Sequence, residues 1–131
     1  MSSVPEPPKG TRPWARRRWE AFWRSDAAKL VDLDADLNRL HRWIQQVDQY
    51  DAVIEELGTN WTVSGSMGGE VMNPLVRVMG QLETQLARTE TEFGMTPLGR
   101  KRLAMKVEGE QEAADPMDEL AQRRAGKAAS A

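Results

Sequence analysis

A chain of 131 residues, 40% hydrophobic and 29% charged, can build one hydrophobic core with tails but not two domains. Its formal net charge of −2 gives no global field that draws nucleic acid, and the absence of cysteine excludes disulfides and thiolate metal sites. No apolar run approaches the roughly 20 residues of a membrane helix, and proline and charge stand where a secretory signal needs an apolar stretch.

The charge is unevenly placed. Through residue 24 the chain has Lys9, Arg12, Arg16, Arg17, Arg18 and Arg24 against Glu6 and Glu20. Residues 32–56 reverse the balance, with Asp32, Asp34, Asp36, Asp48, Asp51, Glu55 and Glu56 against Arg39 and Arg42. A local basic segment on a near-neutral protein points to a partner-directed surface.

Residues 1–12 are rich in Pro, Ser and Gly and are expected to form a disordered N-terminal arm. Pro13 suits the first turn of a short helix over about 13–25, with Ala15, Trp19, Phe22 and Trp23 on one stripe and Arg17, Glu20 and Arg24 on another. A bend is expected at 26–32. Asp32 or Asp34 then caps a helix in which Leu33, Leu37, Leu40, Ile44, Val47, Ile54 and Leu57 recur at steps of mostly four and three, ending at Gly58.

Residues 60–73 change character. Trp61 and Val63 precede a Gly-rich turn at 65–69 and Val71 follows it, which predicts two short strands. Asn73-Pro74 opens a third helix to about Phe93, with Leu75, Met79, Leu82 and Leu86 in the same rhythm. Two matching stripes joined by a compact connection predict an antiparallel hairpin. Each stripe is wider than one partner helix covers. Leu37, Leu40, Ile44, Val47, Leu75, Met79, Leu82 and Leu86 are therefore candidate oligomerisation residues, with a compact intrachain bundle as the alternative. Thr96-Pro97 starts a short helix bearing Arg100, Lys101, Arg102 and Lys106, and an acidic linker is expected after Val107. The fold class is thus all-α, an antiparallel helical hairpin with a β-ribbon connection, flanking short helices and flexible tails. Its divisions are the arm 1–12, a core at 13–107 and a flexible C-terminal segment at 108–131.

The residues hold no catalytic constellation. His41 is the one histidine and reads as a surface or packing residue. The turn at 65–69 lacks the Lys-Ser/Thr of a phosphate loop and reads as a hairpin turn. The acids of 32–56 lack calcium-loop spacing and read as a solvated helix face. No cofactor or metal is expected. The segment Trp14 to Arg24 is more specific: arginines suit phosphates, while Trp19 and Trp23 anchor the helix. Arg16, Arg17, Arg18 and Arg24 are the leading DNA-binding candidates, with Arg100, Lys101 and Arg102 second.

Four motifs coincide in order: Trp19 to Ser25, Asp34 to Leu40, Val63 to Leu75 (VSGSMGGEVMNPL) and Phe93 to Leu103 (FGMTPLGRKRL). Together they resemble the small terminase subunits of tailed double-stranded DNA phages, over about residues 14–120. Gly99 departs from that family's pattern, so a weaker fourth helix is expected. The resemblance implies a non-enzymatic homo-oligomeric ring of more than four subunits. It would act in the host cytoplasm, bind viral double-stranded DNA at the packaging start and deliver it to the large terminase subunit, which carries the ATPase and nuclease. The residues alone also leave open a small helical transcription regulator or antitoxin-like protein, and a coiled-coil adaptor without DNA affinity.

Overall fold

A computed structural model describes residues 4–110. The C-terminal segment expected to serve the large subunit lies, from residue 111 onward, outside the described residues. The order is α1 (Pro13–Trp23), a 3-10 turn (Asp26–Leu30), α2 (Leu33–Leu57), β1 (Thr62–Ser64), β2 (Glu70–Met72) and α3 (Pro74–Glu92). A further helix, α4, covers 97–110. It runs three residues past Val107, where a linker was expected. The predicted mainly helical hairpin with a two-stranded antiparallel ribbon is the observed architecture.

The boundaries follow from capping chemistry. Asp32 accepts from the backbone N–H groups of Asp34 and Ala35 at 3.0 and 3.3 Å, satisfying donors that the first turn of α2 leaves unpaired. Asn73 does the same for α3 by accepting from Leu75 N–H at 3.0 Å, with Pro74 at the first helical position. Its amide also donates to Asn60 O at 2.8 Å, so one buried side chain ties the ribbon's base to the helix start. In the ribbon, Val63 pairs with Val71 and Gly65 N–H donates to Gly69 O at 2.7 Å. Gly68, at φ +84°, supplies the left-handed residue that closes the turn.

The core lies where α1 crosses α2. Ala15, Trp19 and Phe22 meet Leu40, Trp43, Ile44 and Val47, with Leu86 from α3. Leu40, Ile44, Val47, Leu82 and Leu86 are buried within the chain itself, and Leu37, Leu75 and Met79 are half-buried. Five of the eight candidate oligomerisation residues therefore close the hairpin and its contact with α1. Leu33 (54% exposed) and Ile54 (41% exposed) of the same periodic stripe remain open. α1 lies over the central turns of α2, and Leu57, the last residue of the stripe, is buried again at the helix end.

Residues 4–12, expected to be a disordered arm, lie against the helices. Trp19 Nε1 donates to Pro5 O at 2.6 Å, and Arg12 Nε meets Asp48 Oδ1 at 2.8 Å. The segment holds its place through polar anchors rather than apolar burial.

Gly99 has a structural purpose. α3 ends with Met95 N–H donating to Glu90 O at 2.8 Å and Gly94 N–H to Thr91 O at 3.2 Å, with Gly94 at φ +70°. This reversal brings α4 so close to α3 that a Cβ on Gly99 would overlap the Thr91 carbonyl. The glycine lowers helix propensity because the crossing has no room for a side chain.

Leu40→Ala should cost about 2–5 kcal/mol in urea denaturation, whereas Leu33→Ala should stay within about 0.5 kcal/mol. Gly99→Ala should destabilise despite alanine's better propensity, because the atoms it meets are backbone and cannot turn aside. A stabilised Gly99→Ala protein would show that the α3–α4 crossing is looser than described.

Candidate nucleic-acid interface

Burial of one face of α1 decides where its arginines go. Trp19 is flanked by Trp23 and His41 with ring centroids 5.6 and 5.5 Å away, and Phe22 sits 6.0 Å from Trp43 and 6.4 Å from Phe93. With positions 15, 19 and 22 turned inward, Arg17 and Arg24, seven residues apart, fall on the outer side. Arg16, Arg17, Arg18 and Arg24 are all exposed.

Their surroundings differ. Arg16 lies 3.8 Å from Glu6 of the N-terminal segment. Arg18 stacks over the exposed Trp14 ring at 5.4 Å and lies near Glu90. Arg17 and Arg24 form no ion pair among the described residues. Arg17 and Arg24 thus carry charge that no ion pair offsets among the described residues, while Arg16 and Arg18 are partly engaged.

The second predicted cluster lies on α4. Thr96 caps it, its hydroxyl accepting from Gly99 N–H at 3.0 Å, and Arg100, Lys101 and Arg102 are exposed. Arg100 borders an apolar groove with Leu30, Leu103 and Val107. The 3-10 turn that follows α1 supplies Ala27 and Leu30 to the α4 contact, so one short segment supports both clusters. No hydrogen bond or ion pair joins the clusters among the described residues.

The acids of α2 are more structural than a solvated face. Asp32 caps the helix, Asp36 accepts from Asp32 N–H at 3.0 Å, and Asp48 accepts Arg12 through both its backbone N–H and its guanidinium. That hydrogen bond is the chief reason the Arg12 pKa is raised. His41 packs against Trp19, its Nε2 lying 3.2 Å from Glu6 O. No group of three metal-ligating side chains occurs among the described residues. Nor is any described helix long and apolar enough to cross a membrane.

A family model described as phage terminase, small subunit, matches residues 15–110. The chain belongs to that family. Comparison with curated proteins and with solved structures gives no match. Within this terminase small subunit, the match begins in α1 and takes in both basic clusters, the hairpin and α4. The segment that supplies Pro5 and Arg12 precedes it.

Sequence reasoning passed over one basic feature. Arg39 and Arg42 on α2 and Arg88 on α3 line a common groove. Arg39 and Arg42 sit in the most acidic stretch of the chain and Arg88 is remote in sequence. Only the hairpin's register, which periodicity does not supply, brings them together.

Glu90 gives the interface a pH dependence. Burial raises its pKa above the ordinary 4.5, opposed by nearby Arg18 and by the Trp43 indole, which lies beside it without completing a hydrogen bond. The folded state therefore holds this proton more tightly than the unfolded chain. The resulting stability is full below about 4.5 and is lost as pH rises through the folded value. Relative to the unmodified protein, Glu90→Gln should gain melting temperature as pH rises from about 4 to about 7. A pH-independent difference between the two proteins would show that Arg18 fully offsets the burial.

Proposed function

We propose that this terminase small subunit binds viral double-stranded DNA through the outer face of α1, with Arg100, Lys101 and Arg102 of α4 as secondary contacts. It then presents the DNA to the large terminase subunit to start genome packaging. The observation that supports this most is the division of α1: Ala15, Trp19 and Phe22 are buried while all four arginines are exposed. A helix so anchored offers guanidiniums to phosphate without unfolding its own core.

The working form is a homo-oligomeric ring of more than four subunits. A ring repeats α1 around an axis, so individually weak contacts add through high local concentration. Because Leu40, Leu82 and Leu86 are used inside the subunit, the surface left for association is the exposed set that includes Ile54, Val78 and the ribbon residues Trp61, Val71 and Met72. The chain itself is read as non-enzymatic, and residues 108–131 as the large-subunit contact.

Replacing Arg16, Arg17 and Arg18 together by Ala should weaken binding of a labelled duplex in fluorescence anisotropy. It should also flatten the salt dependence, by about 0.9 in log–log slope for each phosphate that the variant no longer neutralises. Light scattering should report the same mass for variant and unmodified protein. A monodisperse monomer at micromolar concentration would sink the ring, and an unchanged slope would move DNA to another surface.

A further inference from the structure

Two cross-helix contacts fix the register of the α2–α3 hairpin. Gln46 Nε2 donates to Gln85 Oε1 at 2.8 Å, and two turns away Arg39 pairs with Glu92. Arg42 and Arg88 fall in the window between these contacts and border one open groove of about 210 Å³, together with Gln46, Gln85 and Thr89.

The charges in this groove are poorly balanced. Arg39 has Glu92 and lies over the Phe93 ring at 5.4 Å. Arg42 and Arg88 are exposed and form no ion pair among the described residues. Two like charges that share a groove without a carboxylate raise its potential for an anion. The polar lining adds donors: the Gln46 and Gln85 amides are already held in place by each other, and Thr89 carries a hydroxyl. Guanidiniums match phosphate oxygens in a fixed fork, which a hydrated ammonium does not.

We propose that Arg42 and Arg88 form a second phosphate-backbone contact site for duplex DNA, separate from the arginines of α1. This rests on the DNA-binding reading above. Trp43, which also lines the groove, packs against Phe22 of α1, but Arg42 lies on another side of α2. A helical rotation of roughly 100° per residue puts Arg42 about 160° around α2 from Ile44, which packs beneath α1. One subunit therefore offers DNA two footholds that face different ways, and a duplex meets both by bending around the subunit or by bridging two copies. The contact is to phosphate and carries no base readout.

The test uses the full chain, a labelled duplex and a salt series in fluorescence anisotropy, with mass followed by light scattering. Arg42→Ala/Arg88→Ala should weaken binding at every salt concentration and reduce the log–log slope by roughly 1 to 2 at unchanged mass. Arg42→Lys/Arg88→Lys should restore most of the slope, because the slope counts neutralised phosphates rather than hydrogen-bond geometry. Inorganic phosphate should displace the duplex no better than chloride at equal ionic strength.

An Ala variant with unmodified affinity and slope would overturn the groove while leaving the α1 reading intact. A fall in oligomer mass would show instead that the groove is a subunit contact, and preferential displacement by inorganic phosphate would assign it to a small anion. Absence of any duplex binding by the unmodified protein at low salt would remove both this site and the reading beneath it.

Discussion

The indole of Trp19 is wholly buried between α1 and α2, and the N-terminal half of the molecule is arranged around it. Its ring is the largest side chain that α1 buries completely, flanked by Ala15 and Phe22 on the same face. Its N–H donates to Pro5 O at 2.6 Å, whereas the buried indole N–H groups of Trp23 and Trp43 have no partner among the described residues. This bond is one anchor of the N-terminal segment, and Arg12 on Asp48 secures its far end. The outward direction of the α1 arginines follows from the same burial.

Local chemistry was largely legible in the sequence. Asp32, Asn73-Pro74, Gly58 and the Gly-rich turn each mark a boundary through a cap or a turn that involves residues a few positions apart. The heptad-like stripes identified the hairpin but did not say which helix covers each residue. Periodicity shows that Leu40 and Leu82 face something apolar, and α1, α2 and α3 supply that cover within one chain. What depended on long-range contact was not legible. The contact of residues 4–12 with the helices runs through Trp19 and Asp48, which are remote in sequence. Gly99 looks like a weak helix residue until α4 is seen crossing Thr91. Arg42 and Arg88 are neighbours only once the register is fixed.

A small net charge is compatible with local basic surfaces because the charges are unevenly placed and some of the acids are engaged by other groups of the chain. Asp32 and Asp36 belong to a helix start, Asp48 and Glu55 hold Arg12, and Glu92 holds Arg39. Exposed pairs of this kind each add little stability, about 0–1 kcal/mol. Arg17, Arg24, Arg42 and Arg88 form no ion pair among the described residues, and they are local positive features that the average of −2 conceals.

The basic surfaces also differ in what surrounds the charge, and this ranks them. On α4, Leu98 (51% exposed) and Met105 (61% exposed) accompany Arg100, Lys101 and Arg102. A surface of that composition gains by covering its apolar part, and a hydrated phosphate backbone does not cover it. A protein partner or another subunit does. The outer side of α1 holds arginines with Trp14 as its exposed large apolar neighbour, and the α2–α3 groove is bordered by guanidiniums, amides and a hydroxyl, with the largely buried Trp43 also in its lining. Both suit a ligand that stays hydrated and is held by charge. The surfaces therefore differ in emphasis within the proposed assembly: α1 carries the leading phosphate contacts, and α4, whose Arg100, Lys101 and Arg102 are secondary ones, adds an exposed apolar face beside its charges.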